Sequence, residues 1–201
     1  TIENQKIYEN KEYDKDVFFA LSHGVGTGKL RSKNSNKENL DPRVQFITNL
    51  SENLPNIKFN LFGLKNIQPV WANDFLNEIS KCFMGICLQR KPLLKYGLSD
   101  RIAQYLGNGL MVFIQNETQY YDILKDKKEA VYFDDENDLI KKIKYYKDNM
   151  NKALNIAESG YYKIHTYCNE KIVTKYFLDC LNGDSEIQLQ EKYHWPIHLY
   201  N

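Results

Sequence analysis

Apolar residues along this chain fall into two alternating rhythms. Short, nearly continuous apolar runs rich in β-branched and aromatic residues recur at 16–22, 58–62, 83–88, 110–115 and 130–133. Runs of that length without polar alternation are what strands covered on both faces require. Between them, apolar positions return every three or four residues: Leu40, Val44, Ile47 and Leu50, then Phe75, Leu76, Ile79 and Cys82. Ile102, Tyr105 and Leu106 make a third such set, and Leu139, Ile140, Ile143 and Tyr146 a fourth. Each set lays an apolar stripe along a helix. Strands alternating with helices predict parallel βαβ units, and so an α/β fold: a Rossmann-like, doubly wound parallel sheet with helices on both faces.

The punctuation agrees. Ser99-Asp100 is an N-cap signal ahead of Arg101, and Gly107-Asn108-Gly109 stops that helix just before the strand LMVFIQ. Beyond Phe133 the strand signals cease. Segments 136–150, 152–162 and 169–181 read as three successive helices closing the domain, with Asn182-Gly183 ending the last. The expected organisation is a leader over 1–13, one domain over 14–183, and a tail over 184–201 without usable periodicity. The polar stretch SKNSNKEN at 32–39 reads as a surface loop.

Composition narrows the partners. The chain has 201 residues, enough for one α/β domain with a substantial core. Its 27 basic and 26 acidic side chains nearly cancel, so nothing favours a nucleic acid, which needs a concentrated positive field. No apolar run approaches the ~18 residues of a membrane span, and no secretory signal opens the chain. Cys82, Cys87, Cys168 and Cys180 match neither a zinc spacing nor a disulfide framework. Reduced thiols in a cytoplasmic protein are the expectation.

Ligands of doubly wound sheets sit at the carboxyl ends of the strands, where the strand order reverses. The first such loop reads SHGVGTGKLRSK. Gly24, Gly26 and Gly28, with Thr27 between the last two, allow backbone N–H groups close to an anion, and Lys29 and Arg31 add positive charge. That combination suits a diphosphate. It is neither a Walker A loop, since Leu30 stands where the Ser/Thr would be, nor the dinucleotide G-x-G-x-x-G. The third strand leads into Arg90 and Lys91, and the following helix opens on Arg101, where the dipole also favours anions.

The run SDRIAQYLGNGLMVFI, preceded by ICLQRKPLLKYGL and followed by EAVYFDDENDLIKKI and IAESGYYKIHTYCNEKIVTKYFLDCL, resembles the C-terminal domains of GT-B glycosyltransferases of the retaining, group 1 type. The resemblance extends over about residues 14–182. It implies the nucleotide-sugar-binding half of an enzyme of the hexosyltransferase type, moving a sugar to a glycan, lipid or other acceptor without a metal or other cofactor. The expected diphosphate contacts are then Gly24, Gly26, Thr27, Gly28, Lys29, Arg90 and Arg101. The family's E-x7-E pattern puts its second Glu at Gln104, which with Tyr105 is expected at the ribose and base; its first Glu falls at Tyr96. The implied partners are a nucleotide-sugar donor and an N-terminal acceptor-binding domain, without which the isolated chain is expected to be inactive; peripheral membrane association is left open. The alternative is a non-catalytic nucleotide-binding or protein-interaction module of Rossmann-like fold.

Other chemistry-bearing residues read as structural. Asp134-Asp135 open a helix, where acids complement the dipole, and so are not taken as a metal clamp. His165 on a late helix reads as structural, and His23 as a loop residue with or without a phosphate contact. Trp71 and Phe75 are expected in the core, although the corresponding segment of the family can lie near the base.

Overall fold

The computed structural model describes residues 13–22, 41–64, 67–89, 92–97 and 100–193. Five strands form one sheet: β1 (Val17–Ala20), β2 (Phe59–Phe62), β3 (Met84–Cys87), β4 (Met111–Gln115) and β5 (Val131–Phe133). All pairings are parallel, in the order β2-β1-β3-β4-β5. All five lie within the apolar runs of the sequence. Chain order runs outward from β1 to β2 and then crosses back to β3, so the switch point falls between β1 and β3.

Side-chain alternation divides the sheet into two apolar layers, because successive residues of a strand point to opposite faces. Val17 and Phe19, Met84 and Ile86, Met111 and Phe113, and Val131 and Phe133 share one layer. There they meet α1 (Pro42–Glu52) through Val44, Ile47 and Leu50, and α4 (Glu136–Asp148) through Leu139, Ile143 and Tyr146. Phe18, Cys87, Val112, Ile114 and Tyr132 face the other layer. They meet Ile79 of α2 (Ala72–Ile79) and Ile102, Tyr105 and Leu106 of α3 (Asp100–Gly107).

Helix ends follow from local chemistry. Asp41 caps α1, accepting from the Arg43 amide while its carboxylate also takes the Arg43 guanidinium. Asp135 caps α4 by accepting from the Asp138 amide. α3 ends in a Schellman turn: Leu110 N–H donates to Tyr105 O and Gly109 N–H to Leu106 O. Gly109 carries φ 76° there, a conformation that disfavours any side chain with a Cβ.

α5 (Met150–Tyr167) closes the base of the domain. Ala153, Ile156 and Ala157 join the first layer, and the helix then passes beneath the sheet to reach α3, where His165 Nε2–H donates to Gly107 O at 3.0 Å. His165 is thus a structural residue, holding the two helices together. α6 (Glu170–Leu181), capped by Asn169, has no buried residue. It packs on α7 (Glu186–Tyr193), through Tyr176 against Tyr193 and the Lys192–Asp179 ion pair. α7 departs from the sequence expectation of a featureless tail. Its start is a capping box, with Ser185 N–H donating to Gln188 Oε1 and Gln188 N–H to Ser185 Oγ; Leu189 and Tyr193, four apart, supply its buried side.

Candidate functional site

A cleft of about 690 Å³ opens at the carboxyl end of β1, on the face carried by α2 and α3. Ala20, Leu21 and Ser22 form the wall that continues β1, Val70 to Asn73 with Phe75 and Leu76 form a second, and the first turns of α3 form the third. Its floor is aromatic. Phe18 meets Phe75 edge-on at 5.4 Å and Tyr105 edge-on at 5.5 Å.

Arg101 sits where the walls converge. Its Nε–H donates to Ala20 O at 2.9 Å and its Nη1–H to Leu88 O at 3.3 Å. One guanidinium therefore bridges the ends of β1 and β3 across the switch point. It also lies 5.5 Å from the centroid of the Phe19 ring, a cation–π contact that helps fix its plane. A guanidinium has five N–H donors, and these two bonds are the ones it makes among the described residues. Among the described residues the remaining donors of the fork carry no partner, and backbone holds its position.

The neighbours of Arg101 divide by exposure. Gln104, one turn further along α3, is exposed and lines the cleft. Tyr105 is 0% exposed, and its hydroxyl oxygen accepts from the Ala20 amide at 3.2 Å; burial holds its phenol well above the ordinary value. Tyr105 therefore binds α3 to the end of β1, and its buried ring forms part of the cleft lining. Trp71 corrects the sequence reading. It is 60% exposed and lines the cleft, whereas Phe75 is half-buried, packing against the core while its ring also lines the cleft. The signal for Trp71 was its place just before α2, on a loop leaving the end of a strand. Gly24, Gly26, Thr27, Gly28, Lys29 and Arg90, with His23, Lys91 and Ser99, lie outside the described residues. Ser22, the last described residue before the glycine-rich segment, lines the cleft.

The loop after β3 is tied down. Gln89 N–H donates to Gln115 Oε1 at 2.8 Å, and the Gln89 amide group donates to Gly97 O, which also accepts from the Tyr120 hydroxyl. Tyr96, at the position of the missing Glu, donates its hydroxyl to Asp122; this bond is the main cause of its pKa being pushed up to about 12. It stays protonated at neutral pH and anchors the loop. Asp134 accepts from Asn116 Nδ2 at 2.5 Å.

Among solved structures the chain is similar to TarM, with a TM-score of 0.56 at 11% identity over 85% of this chain and 36% of that one. A glycosyltransferase from Rickettsia africae ESF-5 superposes with a TM-score of 0.54 at 12% identity, covering 87% of this chain and 50% of that one. Sucrose-phosphate synthase from Thermosynechococcus elongatus gives 0.53 at 11% identity, covering 87% and 48% respectively. The chain therefore spans about a third to a half of the length of these proteins. No curated protein matches its sequence, but residues 43–176 match the family model described as glycosyl transferase-like. With well over half of the chain inside that match, and the Rossmann-like fold of the C-terminal halves of GT-B enzymes, the protein belongs to the glycosyl transferase-like family.

Proposed function

We propose that this chain is the donor-binding half of a GT-B glycosyltransferase and takes a nucleoside-diphosphate sugar in the cleft at the switch point. The observation that carries the reading is Arg101, held across the ends of β1 and β3 at the start of α3. A helix N-terminus beside a guanidinium with unused donors is a site for a diphosphate. In this reading Gly24, Gly26, Thr27, Gly28 and Lys29 bring backbone amides and a cation from the β1 side, and Arg90 adds charge from the β3 side. Gln104 accepts from a ribose hydroxyl, and the exposed ring of Trp71 offers a face to the base. The chemistry supported is electrostatic: donors fixed before the reaction stabilise the departing diphosphate as its charge develops, with no metal required. The acceptor is brought by an N-terminal domain.

Calorimetry on Arg101→Ala tests this. Binding of a nucleoside diphosphate should weaken by about 1.5–3 kcal/mol, the range for hydrogen bonds to charged groups, while binding of the bare nucleoside should hardly change. Circular dichroism checks the fold. Equal losses for both ligands would place the effect in folding, and absence of nucleotide binding by the wild type would remove the donor reading.

A further inference from the structure

A second cavity, of about 720 Å³, lies at the β5 edge of the sheet between α4 and α5, and shares no lining residue with the donor cleft. Its base is apolar: Val131 at the start of β5, Tyr146 of α4 and Ile156 of α5 are all buried. Around this base stand four lysines, Lys127, Lys141, Lys142 and Lys152, and no acidic residue lines the cavity.

The lysines differ in their partners. The Lys142 ammonium donates to Asp138 at 2.6 Å and to Tyr132 O at 2.7 Å, and so is already occupied. Lys127, Lys141 and Lys152 have no carboxylate within ion-pair distance among the described residues, whereas Lys81 and Lys147 each have one and Lys192 has two. Lys152 is held by an aromatic ring: its Nζ donates to the Tyr145 hydroxyl at 2.6 Å and lies 5.0 Å from that ring's centroid. Tyr145 is itself 46% exposed. Lys141 feels the Asp138 carboxylate through space. Three ammonium groups without an ion-pair partner among the described residues, set around a concave surface, still focus a field that draws in a multiply charged anion. Ammonium groups act on phosphate as compact point charges.

We propose that this cavity binds a multiply charged organic phosphate. Lys127, Lys141 and Lys152 hold the phosphate oxygens, and the attached body lies on the Tyr145 ring above Val131 and Ile156. The site is independent of the donor reading. Two sources share this chemistry: a soluble phosphorylated compound and a phospholipid headgroup.

The test titrates inorganic pyrophosphate into the full chain and follows backbone amides by nuclear magnetic resonance. Saturable shifts are expected at Lys141, Tyr145 and Lys152, weakening as salt is raised. Arg101→Ala should leave these shifts intact, which separates the site from the donor cleft. Lys141→Met with Lys152→Met should weaken them about tenfold or more, in a protein whose melting shows it folded. Vesicles of phosphatidylcholine, with and without phosphatidic acid, then separate the sources. Flotation only with phosphatidic acid, lost in the double variant, assigns the headgroup; pyrophosphate binding without flotation assigns a soluble ligand. No saturable shift at these amides, or equal binding by the double variant, would overturn the proposal.

Discussion

Gly160 marks where α5 passes closest to the base of the sheet. A methyl group at that position would come within 2.5 Å of the Glu129 carbonyl oxygen and 2.7 Å of Leu106 Cδ2. One of these obstacles is backbone and cannot rotate away. Gly160→Ala should therefore lower stability by about 1–3 kcal/mol, the range for overpacking. Urea unfolding measures it, and an unchanged midpoint would place α5 elsewhere. The thiols give a second test at this scale. Cys82 is buried, and desolvation is the main cause of its pKa being pushed up to about 12; Cys87 is also buried, and Cys180 is exposed. Since the thiolate is the reactive form, a disulfide reagent at pH 8 should label Cys180 first and Cys168 more slowly. Cys82 and Cys87 should react only in denaturant. Prompt labelling of all four would contradict this packing.

The elements contribute unequally. α4 places Leu139, Ile143 and Tyr146 in the core, with Ile143 fully buried. α6 buries nothing and leaves Phe177, Leu178 and Leu181 exposed. Ile143→Ala should thus destabilise by about 2–5 kcal/mol, and Leu181→Ala should change stability by no more than about 0.5 kcal/mol. Comparable losses in chemical denaturation would mean that α6 docks on the domain. β5, one of the two edge strands, is protected by side chains: Asp126 accepts from the Tyr132 amide and Lys142 donates to the Tyr132 carbonyl. Its exposed backbone groups are satisfied locally, which discourages pairing with another chain.

At the scale of the whole molecule, the chain spans only 36% of TarM and about half of the other two neighbours. On the proposed reading, a sugar bound here meets no acceptor. The chain alone should transfer little or no sugar from a nucleotide-sugar donor. Joining it to an upstream acceptor domain of roughly 150–200 residues, the usual domain scale, should produce transfer. Donor turnover assays on both proteins check this, and robust transfer by the 201-residue chain alone would refute it.

The sheet, its parallel sense and its helical layers were legible in the sequence, because two periods of apolar residues encode them locally. Strands at 17–20 and 111–115 lie inside their apolar runs, and Gly107-Asn108-Gly109 ends α3 through the turn its composition predicts. α7 was missed in the sequence: its capping box is local, but its apolar side has just two buried residues. The site was less readable, because a residue's type does not specify whether its side chain is covered. Tyr105 and Gln104 are neighbours in sequence, yet one is buried and the other exposed; Trp71 is exposed where Phe75 is half-buried. Arg101 was recognisable as a cation at a helix start. Only the meeting of β1 and β3, distant in sequence and adjacent in the sheet, brought the carbonyls of Ala20 and Leu88 to its guanidinium and set where it stands.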